Sequence, residues 1–99
     1  MKKAEAEYMG RVARLGCMLC KELGYSSFDD EGTYPVELHH VREGQGMSQR
    51  ASNFLVIPLC PSCHRGPHGI HGDRLKLRNA CVDEIALLAM TIEALHDTR

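Results

Sequence analysis

This sequence predicts an α+β fold, with a short β-hairpin and helix at the centre and helices from both termini packed on it. Three observations predict it. Two C-x-x-C knuckles, Cys17-Met18-Leu19-Cys20 and Cys60-Pro61-Ser62-Cys63, bracket the middle of the chain, and such pairs commonly hold a structural zinc in a tetrahedral four-thiolate site. Two strand-like runs, Tyr34 to Val41 and Asn53 to Leu59, lie between the knuckles. Both ends of the chain carry apolar residues at helical spacing.

Taken in order, Lys2 to Leu15 reads as a short helix, with Tyr8, Val12 and Leu15 at helical spacing and no helix breaker except Gly10. Gly16 releases the chain into the first knuckle. Gly24 to Gly32, rich in Ser, Asp and Gly, is a loop. Tyr34 to Val41 is a strand that delivers His39 and His40. Adjacent strand residues point to opposite faces, so these two imidazoles cannot share one job unless the strand twists or bulges. Arg42 to Ser52 has two glycines and no apolar period, and is a loop. Asn53 to Leu59 is a second, buried strand, with Pro58 ending its pairing. A helical turn starts after Cys63 and is interrupted at Gly66-Pro67. Helix resumes over Asp73 to Asn79. Val82 to His96 is the clearest helix, with Val82, Ile85, Leu88, Ile92 and Leu95 forming the stripe that covers the core.

A chain of 99 residues makes one domain. Residues 1–16 read as the N-terminal helix, 17–72 as the zinc-stapled core and 73–99 as the C-terminal helices. Aromatic residues are only 5% of the chain and tryptophan is absent, so a metal staple offsets a shortage of large core side chains. No apolar run approaches the ~20 residues of a membrane-spanning helix, and no signal peptide precedes the first knuckle. A cytoplasmic protein with reduced thiols is expected, which disfavours a disulfide framework. The fifth cysteine, Cys81, reads as a small buried apolar residue.

The net charge of −1 says little about partners. Its distribution says more. Between Val41 and Arg78 stand Arg42, Arg50, Arg65, Arg74, Lys76 and Arg78 against Glu43 and Asp73, while acidic residues gather at Asp29-Asp30-Glu31 and in the last helix. Five of the six histidines, His39, His40, His64, His68 and His71, fall in or beside that basic middle. A four-thiolate zinc needs no imidazoles, so the histidines point to a second centre. One neutral imidazole can ligate a divalent ion while its neighbour takes a proton from water.

Leu38-His39-His40-Val41, then Asn53, then Leu59-Cys60-Pro61-Ser62-Cys63-His64 resembles the HNH, or ββα-metal, endonucleases. The stretches Asn53-Phe54-Leu55-Val56-Ile57-Pro58-Leu59-Cys60 and Gly69-Ile70-His71-Gly72 are most similar to the phage-borne Ref branch, the recombination-enhancement nucleases that act with RecA. The HNH likeness covers roughly residues 17 to 72, and Ref-like character extends into the C-terminal helix. The resemblance implies that His39 and His64 are metal ligands and His40 is the general base. It makes Asn53 the residue that orients the His40 ring, and Cys17, Cys20, Cys60 and Cys63 the structural zinc site. As the third ligand His71 is preferred, and His68, four residues beyond His64 but across Gly66-Pro67, is second choice. Other HNH branches carry Asp where this chain has His39. Mg, Mn, Zn and Ni stay open as the catalytic divalent ion, although three imidazoles suit zinc or nickel better than Mg²⁺.

Arg42, Arg65 and Arg74 flank that centre in sequence and are candidates for phosphate contacts. The resemblance further implies DNA as substrate, cleavage to 5′-phosphate and 3′-hydroxyl ends, and a RecA-type recombinase filament as partner in phage or prophage recombination or repair. Two other readings stand beside it. One is a non-catalytic four-cysteine zinc module that binds nucleic acid or a protein partner, and the other is RNA cleavage.

Overall fold

A computed structural model describes residues 2–24, 36–42 and 51–97. Within them the elements are α1 (Lys3–Ala13), α2 (Met18–Leu23), β1 (Glu37–His40), β2 (Val56–Leu59), α3 (Pro61–Arg65), α4 (Leu75–Ala80) and α5 (Glu84–Asp97). The strands form one two-stranded antiparallel sheet. The expected α+β architecture is present, with the hairpin leading directly into α3. Most of the loops expected at 24–32 and 42–52, with Asp29-Asp30-Glu31, Glu43 and Arg50, lie outside the described residues.

Each early element has a local cause. At the start of α1 the Glu5 carboxylate accepts from the Lys2 N–H at 2.8 Å. The helix ends at Ala13, and Gly16 (φ 82°) turns the chain in the left-handed region that glycine enters without strain. Cys17 then caps α2, its sulfur accepting from the Cys20 N–H at 3.4 Å. The first knuckle is thus the opening turn of a helix, where sequence reading found only a knuckle running into a loop. The second is built the same way. Cys60 precedes α3, Pro61 takes the first helical position, where its missing N–H costs nothing, and the His64 N–H bonds the Cys60 carbonyl at 2.9 Å.

The strand register pairs Glu37 with Leu59, Leu38 with Pro58, His39 with Ile57 and His40 with Val56. Pro58 therefore sits inside β2 and does not end it. Val41 N–H donates to the Leu55 carbonyl at 2.9 Å, which makes the 41–55, 39–57 and 37–59 pairs the hydrogen-bonded ones. Pro58 falls on a non-bonded pair, where its nitrogen faces away from β1 and no ladder bond is lost. The expected second strand is shorter than predicted, because Asn53 and Phe54 form a turn ahead of it.

β2 is buried along its whole length, covered by α1, α2 and α5. The core gathers Val12, Leu19, Val56, Ile57, Leu59, Ile70 and Leu87. The face of α5 differs from the predicted stripe. Leu87, Leu88, Thr91 and Leu95 are buried, whereas Ile85 and Ile92 are 46% and 38% exposed. The polar look of Thr91 hid its burial, and its hydroxyl is satisfied by donating to the Leu87 carbonyl at 2.8 Å.

Cys81 also corrects its expectation. It is exposed and follows α4 at φ 58°, where its N–H closes the helix end and its side chain faces solvent. Among the described residues no helix is long and apolar enough to cross a membrane.

Candidate metal centres

Among the described residues, two clusters of side chains able to ligate a metal form where the hairpin, α2 and α3 meet. In the first, Cys17, Cys20, Cys60 and Cys63 are all buried, with their sulfurs within 4.8 Å of one another. Cys20 Sγ lies 3.8 Å from Cys60 Sγ and 3.7 Å from Cys63 Sγ. A disulfide would need about 2.05 Å, whereas tetrahedral thiolates with Zn–S near 2.3 Å stand about 3.8 Å apart. The four sulfurs therefore fit a structural metal such as zinc.

Their ionisation fits too. The Cys17 thiol is pulled down to about 5, chiefly by its hydrogen bond with Cys63 and further by the backbone N–H groups of Cys60 and Cys20. Cys63 is pushed up, first by that bond to Cys17 and then by burial. One thiolate forms readily and raises the cost of the next, a conflict that a divalent cation removes. Lys76 adds positive charge at the edge of the cluster, its Nζ 3.9 Å from Cys63 Sγ and 2.7 Å from Ser62 Oγ.

The second cluster holds His39, His64 and His71, one ring nitrogen of each within 4.8 Å of the others. Ring centroids are 5.4 Å apart for His39 and His64, 4.9 Å for His39 and His71, and 4.7 Å for His64 and His71. His39 is 5% exposed, His64 is half-buried and His71 is exposed, so the cluster opens to solvent on the His71 side.

His71 reaches the other two because the chain wraps back over α3. After Gly66-Pro67 the Ile70 N–H takes the Cys63 carbonyl at 2.8 Å and the His71 N–H takes the His64 carbonyl at 3.1 Å. Ile70 anchors the wrap in the core. The approach is close enough that a Cβ on Gly69 would stand 2.4 Å from the Cys63 carbonyl oxygen, and one on Gly72 2.2 Å from that of Pro67. His68 goes elsewhere, with Nδ1 3.1 Å from both Asp73 carboxylate oxygens and its side chain 52% exposed. The structure thus groups the preferred third histidine, His71, with His39 and His64, and leaves the second choice outside.

Strand alternation separates His40 from His39. His40 Nε2 lies 2.9 Å from Asn53 Oδ1. An amide oxygen only accepts, so Nε2 carries the proton and Nδ1 keeps the lone pair. The arginines expected to meet phosphate are differently placed. Arg42 is exposed just beyond β1. Arg65 lies along Glu37, Nε donating at 2.9 and 3.0 Å. Arg74, at φ 63°, donates from Nε to the Ile70 carbonyl at 2.8 Å.

Sequence reading missed two carboxylates. Glu37 Oε1 lies 2.7 Å from His64 Nδ1, and Arg65 together with His64 holds its carboxyl down to about 2. Glu84 Oε2 contacts His39 Nε2. Burial lowers the His39 pKa, with Glu84 acting in the opposite direction. Glu37 stands two residues before His39 on one strand face, a signal present in the sequence. Glu84 had no local signal, since only the docking of α5 brings it near.

Comparison of the chain with protein-family models, curated proteins and solved structures finds no match in any of the three.

Proposed function

We propose that this chain is a metal-dependent endonuclease of the HNH, or ββα-metal, type that hydrolyses DNA phosphodiester bonds. The observation that carries the reading is the clustering of the His39, His64 and His71 ring nitrogens at the end of a hairpin that leads into a helix, with His40 next in sequence and bonded to Asn53. The motif residues that resemble the family are the ones brought together.

His39, His64 and His71 would hold one divalent ion, for which neutral imidazoles favour zinc or nickel over magnesium. Bound there, such an ion supplies positive charge that stabilises the growing negative charge on phosphorus-bound oxygens and on the departing 3′ oxygen. His40 does the proton chemistry. Its Nδ1 lone pair takes a proton from the attacking water, while Asn53 holds the ring by its Nε2–H and fixes which nitrogen is basic. Arg42, exposed two residues beyond His40, meets the phosphate backbone without reading sequence. The four-cysteine site ties α2 to the start of α3 and so keeps His64 in place beside the hairpin.

The Ref-like stretches around Asn53 to Cys60 and Gly69 to Gly72 extend the proposal to phage or prophage recombination or repair in the cytoplasm, with a RecA-type filament as partner on DNA. The test is nicking of supercoiled plasmid with and without divalent metal. Wild type should nick when metal is present, and His40→Ala should lose on the order of 10²–10⁴ in rate with unchanged fold and zinc content. Equal nicking by both proteins contradicts the assignment. Parallel single-stranded DNA and RNA substrates define the polymer cut. A non-catalytic zinc module is favoured by one observation, the self-contained closure of the four-cysteine cluster, and requires that neither protein nick.

A further inference from the structure

Glu84 makes a contact that the proposed mechanism leaves unused. It opens α5, and its carboxylate meets His39 Nε2 across 45 positions of sequence. The two side chains are 15% and 6% exposed. A carboxylate in the first turn of a helix is ordinarily explained by capping or by the helix dipole. Capping belongs to Asp83, whose Oδ1 accepts from the Ala86 N–H at 2.8 Å and whose carbonyl accepts from Leu87 at 3.0 Å. The dipole is served as well by a carboxylate left in water. Burying a charge costs free energy unless it is paired, and Glu84 pairs with an imidazole of the three-histidine cluster.

We propose that Glu84 is a positioning residue of the histidine centre, holding His39 by Nε2 so that Nδ1 is the nitrogen presented to a divalent cation. This rests on the three-histidine reading above. A neutral imidazole has one N–H and one lone pair. With the N–H given to a carboxylate, the lone pair lies on the other nitrogen. Imidazoles that bind metals are generally oriented this way, and losing the partner lowers metal affinity 10–100-fold. His64 has the complementary arrangement, with Nδ1 on Glu37 and Nε2 left for the ion. Because Glu84 belongs to α5, cation binding and docking of the first turn of α5 each strengthen the other.

The test is calorimetric titration with nickel of protein that keeps zinc at its four-cysteine site, comparing wild type, Glu84→Gln and Glu84→Ala. Alanine should weaken nickel binding about 10–100-fold and glutamine less, since its amide oxygen can still accept from Nε2–H. Zinc content should stay constant in all three. Nitrogen-15 spectra of zinc-loaded wild type should show His39 protonated at Nε2. Amide exchange in the first turn of α5 should slow on nickel binding in wild type and not in Glu84→Ala. Equal nickel affinity in all three proteins, or a metal-loaded His39 protonated at Nδ1, overturns the proposal. The nitrogen-15 tautomer of wild-type His39 depends on no variant, so it decides the matter if alanine unsettles α5. A wild type that binds no nickel overturns the three-histidine reading itself, a result distinct from equal affinity.

Discussion

His64 and Glu37 face each other across the junction of β1 and α3, Nδ1 to Oε1 at 2.7 Å, and Arg65 clamps the same carboxylate through its guanidinium. The carboxylate therefore fixes which nitrogen of His64 is left for a cation. Glu37→Ala should lower affinity for the second ion about 10–100-fold while the sulfur-bound zinc stays. Arg65→Ala should have a smaller effect, because the bond between His64 and Glu37 survives it. Calorimetric titration of the two variants ranks them, and a larger loss in Arg65→Ala contradicts this account.

The four-cysteine site should dominate stability. Structural zinc contributes about 10–16 kcal/mol in small zinc-folded peptides, as much as the whole ~5–15 kcal/mol that separates folded from unfolded domains. Cys63→Ser, or a strong chelator, should therefore unfold the chain at room temperature. Circular dichroism checks this, and a native spectrum with no zinc bound counts against a structural role.

Gly69→Ala tests the wrap that brings His71 to His64. The added Cβ would stand 2.4 Å from the backbone oxygen of Cys63, so the turn must move. Overpacking of this kind costs about 1–3 kcal/mol, or a fall of roughly 4–8 °C in Tm per kcal/mol for a domain of this size. Second-ion affinity should fall with it. A Tm unchanged from wild type removes the packing explanation.

Acid should act on the protein through His39. Its folded pKa lies below the ordinary 6.5 because it is buried, so the unfolded chain takes up that proton first. The contribution of neutral His39 is thus complete above about pH 6.5 and is lost as the pH falls below it. Glu37 titrates lower still, from 4.5 unfolded to about 2 folded, so its clamp persists above pH 5 and fails only towards 2. Melting curves between pH 5 and 8, with zinc only at the sulfur site, should slope downward on acidification in wild type and less in His39→Asn. Identical slopes contradict the assignment to His39.

Much of this architecture is legible in local pattern. The knuckles announce themselves by spacing, α1 by its period, and the parting of His39 from His40 by strand alternation alone. The misreadings share a cause, in that tertiary packing settled what the local pattern left open. Pro58 looked like a strand breaker because the register that makes it harmless depends on β1. The stripe on α5 was misplaced because a satisfied hydroxyl, Thr91, counts as polar in sequence and as core in space. Glu84 was invisible because nothing in its neighbours ties it to a residue 45 positions away.

Metal counting by mass spectrometry under native conditions tests the central claim most directly. Wild type at saturating nickel or zinc should carry two ions per chain, one among the sulfurs and one among the imidazoles of His39, His64 and His71, and His64→Ala combined with His71→Ala should carry one. A single ion on both proteins, removed only when a cysteine is replaced, would contradict the account.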